Sequence, residues 1–548
     1  MSLPDATAWT LPWRGLGLSS NLDAADQPHP YRLLAESPGL FDFVEYSAPL
    51  SLDETRESAS LFPRMWERRE EVPVLFHPVH LNLYGPELEP VKALEDLDAH
   101  ARAVGSAWVG NDIGWWHSGG QPFPGYLYFT PPFTEAGVRD CVAHALHVQS
   151  HLSVPLALEN PAAFAKRGEL HVLDFMARVQ ERTGLPLLLD LGHLLSYQLA
   201  AGLPLEAGLD GFPLDKIIEI HIAGGVITRR GGRGYYVDDH TQPVREELFG
   251  LLESLLPRCP SLRAVTFEGD GHPLEVALLT LRRLREWVPA APRPPLALTP
   301  VKQSAPPLSR ESEPWALFET GYAAKPEPGG DVDGARAETD FRLAVVAETL
   351  DRDWPISRLL LAGTREDLSV FTASQEFRGL FEGEGRSPGH AFAAWTRRHL
   401  REHPDEGVAA AVSFETFLPN SFMMRPPPVP GPGQVGLAED VRVGTFPVDL
   451  TELVFAAKSL RRHLTGRAWA CEVLEVSGLE ALAQVARRPG RGPWTFVVRR
   501  KSRSLEVLTV PPSVLELLRS LARGARAVEE VPAQVLAEGR ALGLLRRG

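Results

Sequence analysis

Along the first 288 residues, short apolar runs recur, each ending in a polar residue and followed by a longer segment of helical spacing or loop character. The runs are Arg14 to Ser19, Phe41 to Tyr46, Val72 to His77, Ala107 to Asp112, Pro155 to Asn160, Pro186 to Asp190, Ile217 to Ala223 and Arg263 to Glu268. Runs of this length predict strands, and their alternation with helical spacing predicts repeated βα units. Eight parallel strands within roughly 250 to 290 residues are what a closed (β/α)8 TIM barrel requires. Leu170 to Arg182 and Leu274 to Trp287 carry apolar residues three and four apart and predict helices, the first closed by Gly184. In Ile217 to Ala223 the alternation sends Glu219 and His221 to one face. The inner face of an ordinary parallel barrel is filled by Val, Ile and Leu. A carboxylate beneath an imidazole there needs a polar partner, of which a metal ion is the simplest; a solvated edge strand with a chance histidine is the alternative.

Beyond the barrel the pattern breaks. Residues 289–336 are rich in proline, from Pro289 to Pro328, with little periodicity, and predict a linker or wrapping segment of polyproline character. Helical spacing returns from about residue 337, in Phe341 to Leu350 and Ala391 to His403, and continues to about residue 424. A second Pro-rich break, Arg425 to Gly433, precedes an α+β part from about residue 434. There Trp494 to Arg499 and Leu505 to Val510 alternate like strands and are joined by the basic turn Arg500-Lys501-Ser502-Arg503. Ser513 to Ala522 and Pro532 to Leu542 have helical spacing, proline being tolerated at a first helical position. The expected architecture is α/β: a TIM barrel (1–288), a Pro-rich linker (289–336), and a mixed α+β region (337–548) with a small winged-helix module.

Composition narrows the classes. With 548 residues, 44% hydrophobic and 23% charged, the chain suits two to four folded domains. It has no apolar run long enough for a bilayer, and MSLPDATAWTLPWRG lacks the basic and apolar regions of a secretory signal, so a cytoplasmic location without membrane contact is expected. Cys141, Cys259 and Cys471 are far apart with no CxxC spacing, which predicts packing residues rather than disulfides or a thiolate zinc site. A formal charge of −14 argues against nucleic-acid binding. The stretch Arg487 to Gly548 is locally basic, with 13 Lys or Arg against 5 Asp or Glu.

The strand ends carry the chemistry. In order they are Glu45, His77, Asp112, Glu159, Asp190, His221 and Glu268, with Ser19, Ser20 and Asn21 after the first strand. Singly, Asp and Asn favour turns for local reasons; together they mark the rim on which barrel active sites lie. The loops add His193, then Asp238, Asp239 and His240, then Asp270 and His272. Imidazoles with carboxylates and no thiolate describe an iron, manganese or zinc site. One catalytic zinc usually takes three protein ligands, and the excess of acids predicts two or more bridged metals. Oxygen activation at non-haem iron and two-metal hydrolysis both fit such a site. No GxGxxG after a strand, Walker loop, GxSxG elbow or strand-end Schiff-base lysine competes.

Taken in order, GLGLS, FDFVEYS, HPVHL, LALENP, LLLDLGH, EIHIAGG, DDHTQPV and FEGD resemble the motifs of the multinuclear non-haem iron-dependent oxidases, the group that includes the methanobactin-biosynthesis oxidase. The resemblance covers about the first 290 residues. It implies a TIM barrel holding two or three irons that acts with O2 on cysteines of a ribosomally made precursor peptide. It implies that His77 binds the first iron, that Glu159 bridges, and that Asp190, His221, Asp238, His240 and Glu268 hold the rest, with Glu159, Asp190 and His221 at the catalytic centre. Three positions depart from the family. Asp112 stands where many members have a histidine, Gly192 and His193 replace paired asparagines, and Gly225 replaces a second histidine. Asp112 and His193 are accordingly included among the expected metal ligands. Residues from about 337 onward are loosely similar to the partner proteins that recruit the precursor, which implies an oxidase and its partner fused in cis. A divalent-metal isomerase or phosphoester hydrolase, and a non-catalytic peptide-binding scaffold, are the alternatives.

Overall fold

A computed structural model describes residues 8–548 except 26, 231, 291–292, 301–302, 310, 324–329, 384–386, 421–425, 465–477, 489, 491 and 502–503. Cys471 and the Ser502-Arg503 half of the basic turn lie outside the described residues. The chain divides into two compact units, Met1–Thr339 and Asp340–Gly548.

The first unit is built on a closed parallel barrel. Its strands are β1 (Gly15–Ser20), β2 (Phe43–Ala48), β3 (Val74–Pro78), β4 (Val109–Asp112), β5 (Leu156–Glu159), β6 (Leu187–Asp190), β7 (Ile217–Ala223) and β8 (Ala264–Glu268), paired in sequence order with β8 closing onto β1. Each falls on one of the eight predicted runs. Helices follow strands as the periodicity requires, among them Val172–Thr183, which Gly184 ends in a left-handed conformation, and Leu274–Trp287. Gly17 has a packing reason: a Cβ there would lie 2.2 Å from the Phe43 ring. Inside the barrel's lower end, Leu11, Phe43, Leu75, Trp108, Ala157, Leu188, Ile218 and Ala264 form an apolar plug.

The Pro-rich stretch after the barrel is held against it at several points. Leu296–Leu298 pairs antiparallel with Trp9–Leu11, and Leu296 and Leu298 pack on the plug. Further on, Ser309 donates to Asp140 at 2.8 Å and the Tyr84 hydroxyl donates to Ser312. The helix Pro314–Ala323 sets Trp315, Phe318 and Tyr322 against Trp115, Phe123 and Phe129. Aromatic burial explains why a proline-rich sequence lies down here instead of spanning a gap: large rings gain more from contact than the chain loses in freedom.

The second unit is mixed α and β. Six helices, Pro355–Leu361, Arg365–Thr372, Pro388–Glu402, Glu406–Asn420, Thr451–Leu464 and Leu479–Ala486, account for most of its described helical residues. Val441–Phe446, Trp494–Lys501 and Ser504–Leu508 form an antiparallel sheet in that order, so Ser504–Leu508 is an edge. A second small sheet joins Arg526–Ala527, Gln434–Leu437 and Leu545–Arg547, covered by helices Pro512–Leu521 and Ala533–Ala541. Among the described residues, no helix is long and apolar enough to cross a membrane.

Candidate metal centre

Parallel pairing sets the strand ends level. Asp112 lies opposite Glu159, and Asp190 opposite His221, so their side chains meet over the barrel mouth. Glu45, His77 and Glu268 complete the ring from β2, β3 and β8. All are buried or nearly so.

Two further residues arrive from outside the barrel strands. Asp190 is both the end of β6 and the N-cap of helix Leu191–Ala201, accepting from the His193 amide at 2.5 Å. That cap turns the helix so that the His193 ring faces the centre. Gly192 lies between them because a Cβ there would come within 2.7 Å of Asp238 and 3.3 Å of Asp190. The segment after β7, expected as a loop, is instead a hairpin, Gly225–Arg230 with Arg233–Asp238, whose register puts Asp238 directly opposite Gly225. It leaves the rim and returns Asp238 to its starting level, with His240 just beyond.

The polar atoms converge. His77 Nε2 lies 3.8 Å from Glu159 and 3.9 Å from Asp112, and its Nδ1 3.8 Å from Glu45. His221 Nε2 lies 3.1 Å from Glu45, and its Nδ1 3.4 Å from Glu159 and 3.5 Å from Glu268. His193 Nδ1 lies 3.2 Å from Asp112 and its Nε2 3.4 Å from Asp238. His240 Nε2 lies 2.9 Å from Asp238 and 3.7 Å from Glu268, and its Nδ1 lies 3.6 Å from Asp270, which accepts from Ser19. Five groups have ligand atoms within 4.8 Å of one another: Glu45, His77 and His221; His77, Asp112 and Glu159; Glu159, Asp190 and His193; Asp190, His221 and Glu268; Asp238, His240 and Glu268. Glu159, Asp190 and Glu268 each belong to two groups, and a carboxylate, unlike an imidazole, has two oxygens with which to serve two ions.

Each of the nine predicted ligands, His77, Asp112, Glu159, Asp190, His193, His221, Asp238, His240 and Glu268, stands in at least one group. Glu45 joins them although the motifs assigned it no ligand role; its signal is its place at a strand end beside the others. Tyr128 was not singled out. Its hydroxyl donates to Asp112 at 3.3 Å and accepts from the Ala162 amide, and its position in an irregular loop left no periodic trace. His272 is buried but joins no group. The position of Gly225 is filled from elsewhere, since a Cβ there would fall 2.2 Å from the Tyr236 ring.

The protonation pattern follows from crowding. Burial, with neighbouring carboxylates, pushes Glu45, Glu159 and Glu268 each up to about 8. Burial opposes charge on His221, yet Glu45, Glu268 and Glu159 together hold it well above the ordinary imidazole range. His193 and His240 rise likewise beside their own carboxylates. His77 falls to about 4, through burial and then the charge of His221. Protons retained on both acids and bases are the response of an acid-rich pocket that has only protons for countercharge; divalent cations would supply that charge instead. The hydrogen bonding leaves room for them. His77 Nδ1, Glu159 Oε2, Asp190 Oδ2, both His221 nitrogens and Asp238 Oδ1 are buried without a hydrogen-bond partner, where native polar groups are nearly always satisfied.

Fold and site together define a metal-rim barrel enzyme. Residues 24–284 match the family model described as "RiPP precursor modification enzyme MbnB/TglH/ChrH", and the chain carries a domain of that family of enzymes acting on ribosomally made, post-translationally modified peptides. This is an oxidase-type, peptide-modifying assignment, and it displaces sugar isomerisation, phosphoester hydrolysis and a bare scaffold. The chain is 29% identical over 221 residues to a UPF0276 protein of Vibrio parahaemolyticus, covering 39% of this chain and 76% of that protein. It is 27% identical over 264 residues to one of Caulobacter vibrioides, covering 48% and 89%. Among solved structures, an L-ribulose 3-epimerase aligns at 18% identity over 50% of this chain and 86% of that chain, with a TM-score of 0.30.

Proposed function

We propose that the barrel binds two or three irons among Glu45, His77, Asp112, Glu159, Asp190, His193, His221, Asp238, His240 and Glu268 and, with O2, oxidises a cysteine of a ribosomally made precursor peptide. The observation that carries this reading is the set of five ligand groups, four of them joined in a chain through Glu159, Asp190 and Glu268 and the fifth sharing His77 and His221 with that chain. Bound iron would supply the binding and activation of dioxygen and the acceptance of electrons from the substrate. The residues supply the rest. Asp190 ties one oxygen to the His193 amide and leaves the other for an ion. His193 donates from Nδ1 to the Asn160 carbonyl at 2.9 Å, which turns Nε2 toward Asp238. Tyr128 stands over Asp112 with its hydroxyl already oriented by Ala162, able to hold a proton at that carboxylate.

Residues 337–548 serve, on this reading, as a peptide-recruitment region fused to the oxidase across the Pro-rich stretch 289–336, with a winged-helix module in the α+β part. Support comes from the edge strand Ser504–Leu508 and the groove of about 530 Å³ beside it, lined by Ile356, Phe414, Leu418, Val454, Leu505 and Val507. An extended peptide adds to such an edge through main-chain hydrogen bonds. Elemental analysis of the purified protein, with Mössbauer and EPR spectra of the same sample, tests the iron reading. Two or more irons per chain with a coupled signal are expected. Stoichiometric zinc or manganese alone, or no metal, would reject it.

A further inference from the structure

Glu219 belongs to none of the ligand groups, yet it is a fully buried carboxylate two residues before His221 on β7. Its Oε2 accepts from the Trp108 indole at 2.6 Å and its Oε1 from the Thr266 hydroxyl at 2.8 Å. Both donors are neutral. Among the described residues its ion-pair partner is His221, whose Nε2 lies 3.6 Å away. A buried carboxylate is costly without a countercharge, and the positive group that faces Glu219 is His221. The His221 ring stands between two pairs of acids, with Nε2 facing Glu45 and Glu219 below and Nδ1 facing Glu159 and Glu268 at the rim.

We propose that Glu219 is a positioning residue: fixed by Trp108 and Thr266, it holds the Nε2 edge of His221 toward itself and Glu45 and so directs Nδ1 to the ion gathered by Glu159, Asp190 and Glu268. This rests on the metal reading above. The contact is electrostatic, with Nε2 3.6 Å from Glu219 and 3.1 Å from Glu45, and a carboxylate facing the far nitrogen of a ligating imidazole orients the ring and strengthens the ligand.

The test uses the full-length chain and Glu219→Gln. Glutamine keeps the shape, and the Thr266 hydroxyl can turn to accept from its amide while Trp108 still donates. Fe(II) affinity is measured anaerobically against a chromogenic chelator, and the midpoint potential of the bound iron by EPR-monitored titration. Glu219→Gln should retain the wild-type circular dichroism, bind Fe(II) about 10- to 100-fold more weakly, and shift the potential positive, because removing a nearby negative charge favours the reduced ion. Trp108→Phe, which loosens the carboxylate but leaves its charge, should weaken binding less and leave the potential near wild type. Equal affinity and potential in Glu219→Gln would overturn the positioning role and leave the metal reading standing. A wild-type chain that takes up no Fe(II) would overturn the metal reading and this inference with it.

Discussion

Single residues at the rim divide into those that offer ligand atoms and those that make space for them. Glu159 bridges groups on both sides, so Glu159→Ala should cost at least about tenfold in metal affinity and abolish turnover, with far-UV circular dichroism unchanged; a variant that oxidises peptide at the wild-type rate would refute its assignment. The glycines make the complementary prediction. Gly225→His would drive its side chain into Tyr236 and should destabilise the chain by roughly 1–3 kcal/mol, as overpacking does, lowering the melting temperature. Adding Tyr236→Ala should not restore it, because a Cβ at 225 would also fall 2.5 Å from the Val237 carbonyl and the buried ring would be lost. The strand ends were legible only as a set, because a single Asp or Asn there has a local turn explanation whereas several polar ends on one barrel rim do not. Asp112 and His193, read as departures, stand within the ligand groups. Tyr128 and the ring of Tyr236 were invisible, since no spacing rule says which loop aromatic will fill a vacated position.

At the scale of elements, the eight strands were readable because each run of four to seven apolar residues must be buried on both faces of a parallel sheet. The hairpin after β7 was not. Val226, Thr228, Tyr235 and Val237 carry the β-branched and aromatic signal, but the Arg-Gly-rich tip between them has the composition of a loop. The stretch after Val288 was readable only as a linker or a wrapping segment, since proline density carries no periodicity and the three aromatics that pack it are set by distant contacts. In the second unit an element carries its own pH test. Glu415 accepts from the Ile356 and Ser357 amides and so caps helix Pro355–Leu361 from a buried position, where burial pushes its carboxyl from 4.5 up to about 7. The folded chain therefore binds more protons than the unfolded one between those values, and stability falls as pH rises through that window. Melting temperature of the full chain should decline from pH 4.5 to 7, and Glu415→Gln should decline less, the difference from the wild type amounting to roughly 3 kcal/mol at most.

For the whole molecule, the division at Thr339 and Asp340 separates the metal rim from the edge strand and groove. If recruitment and oxidation are divided the same way, removing residues 340–548 should weaken precursor binding far more than it lowers iron content. Calorimetry with the cysteine-bearing precursor and metal analysis on the same sample would read both; unchanged peptide affinity would reject the recruitment role. Sequence alone could place the barrel because its strands obey local periodicity. It could not say how the Pro-rich stretch lies, which depends on contacts distant in the chain.

The hairpin register has a practical corollary. Because Gly225 faces Asp238 across antiparallel strands, equal additions to both arms lengthen the ribbon without displacing either foot. Arg230 and Arg233, paired at the far end of that register, thus lie away from the chemistry at its base. A spin label or fluorophore could be grafted there to report on events at the mouth, with the coordination geometry left as it was.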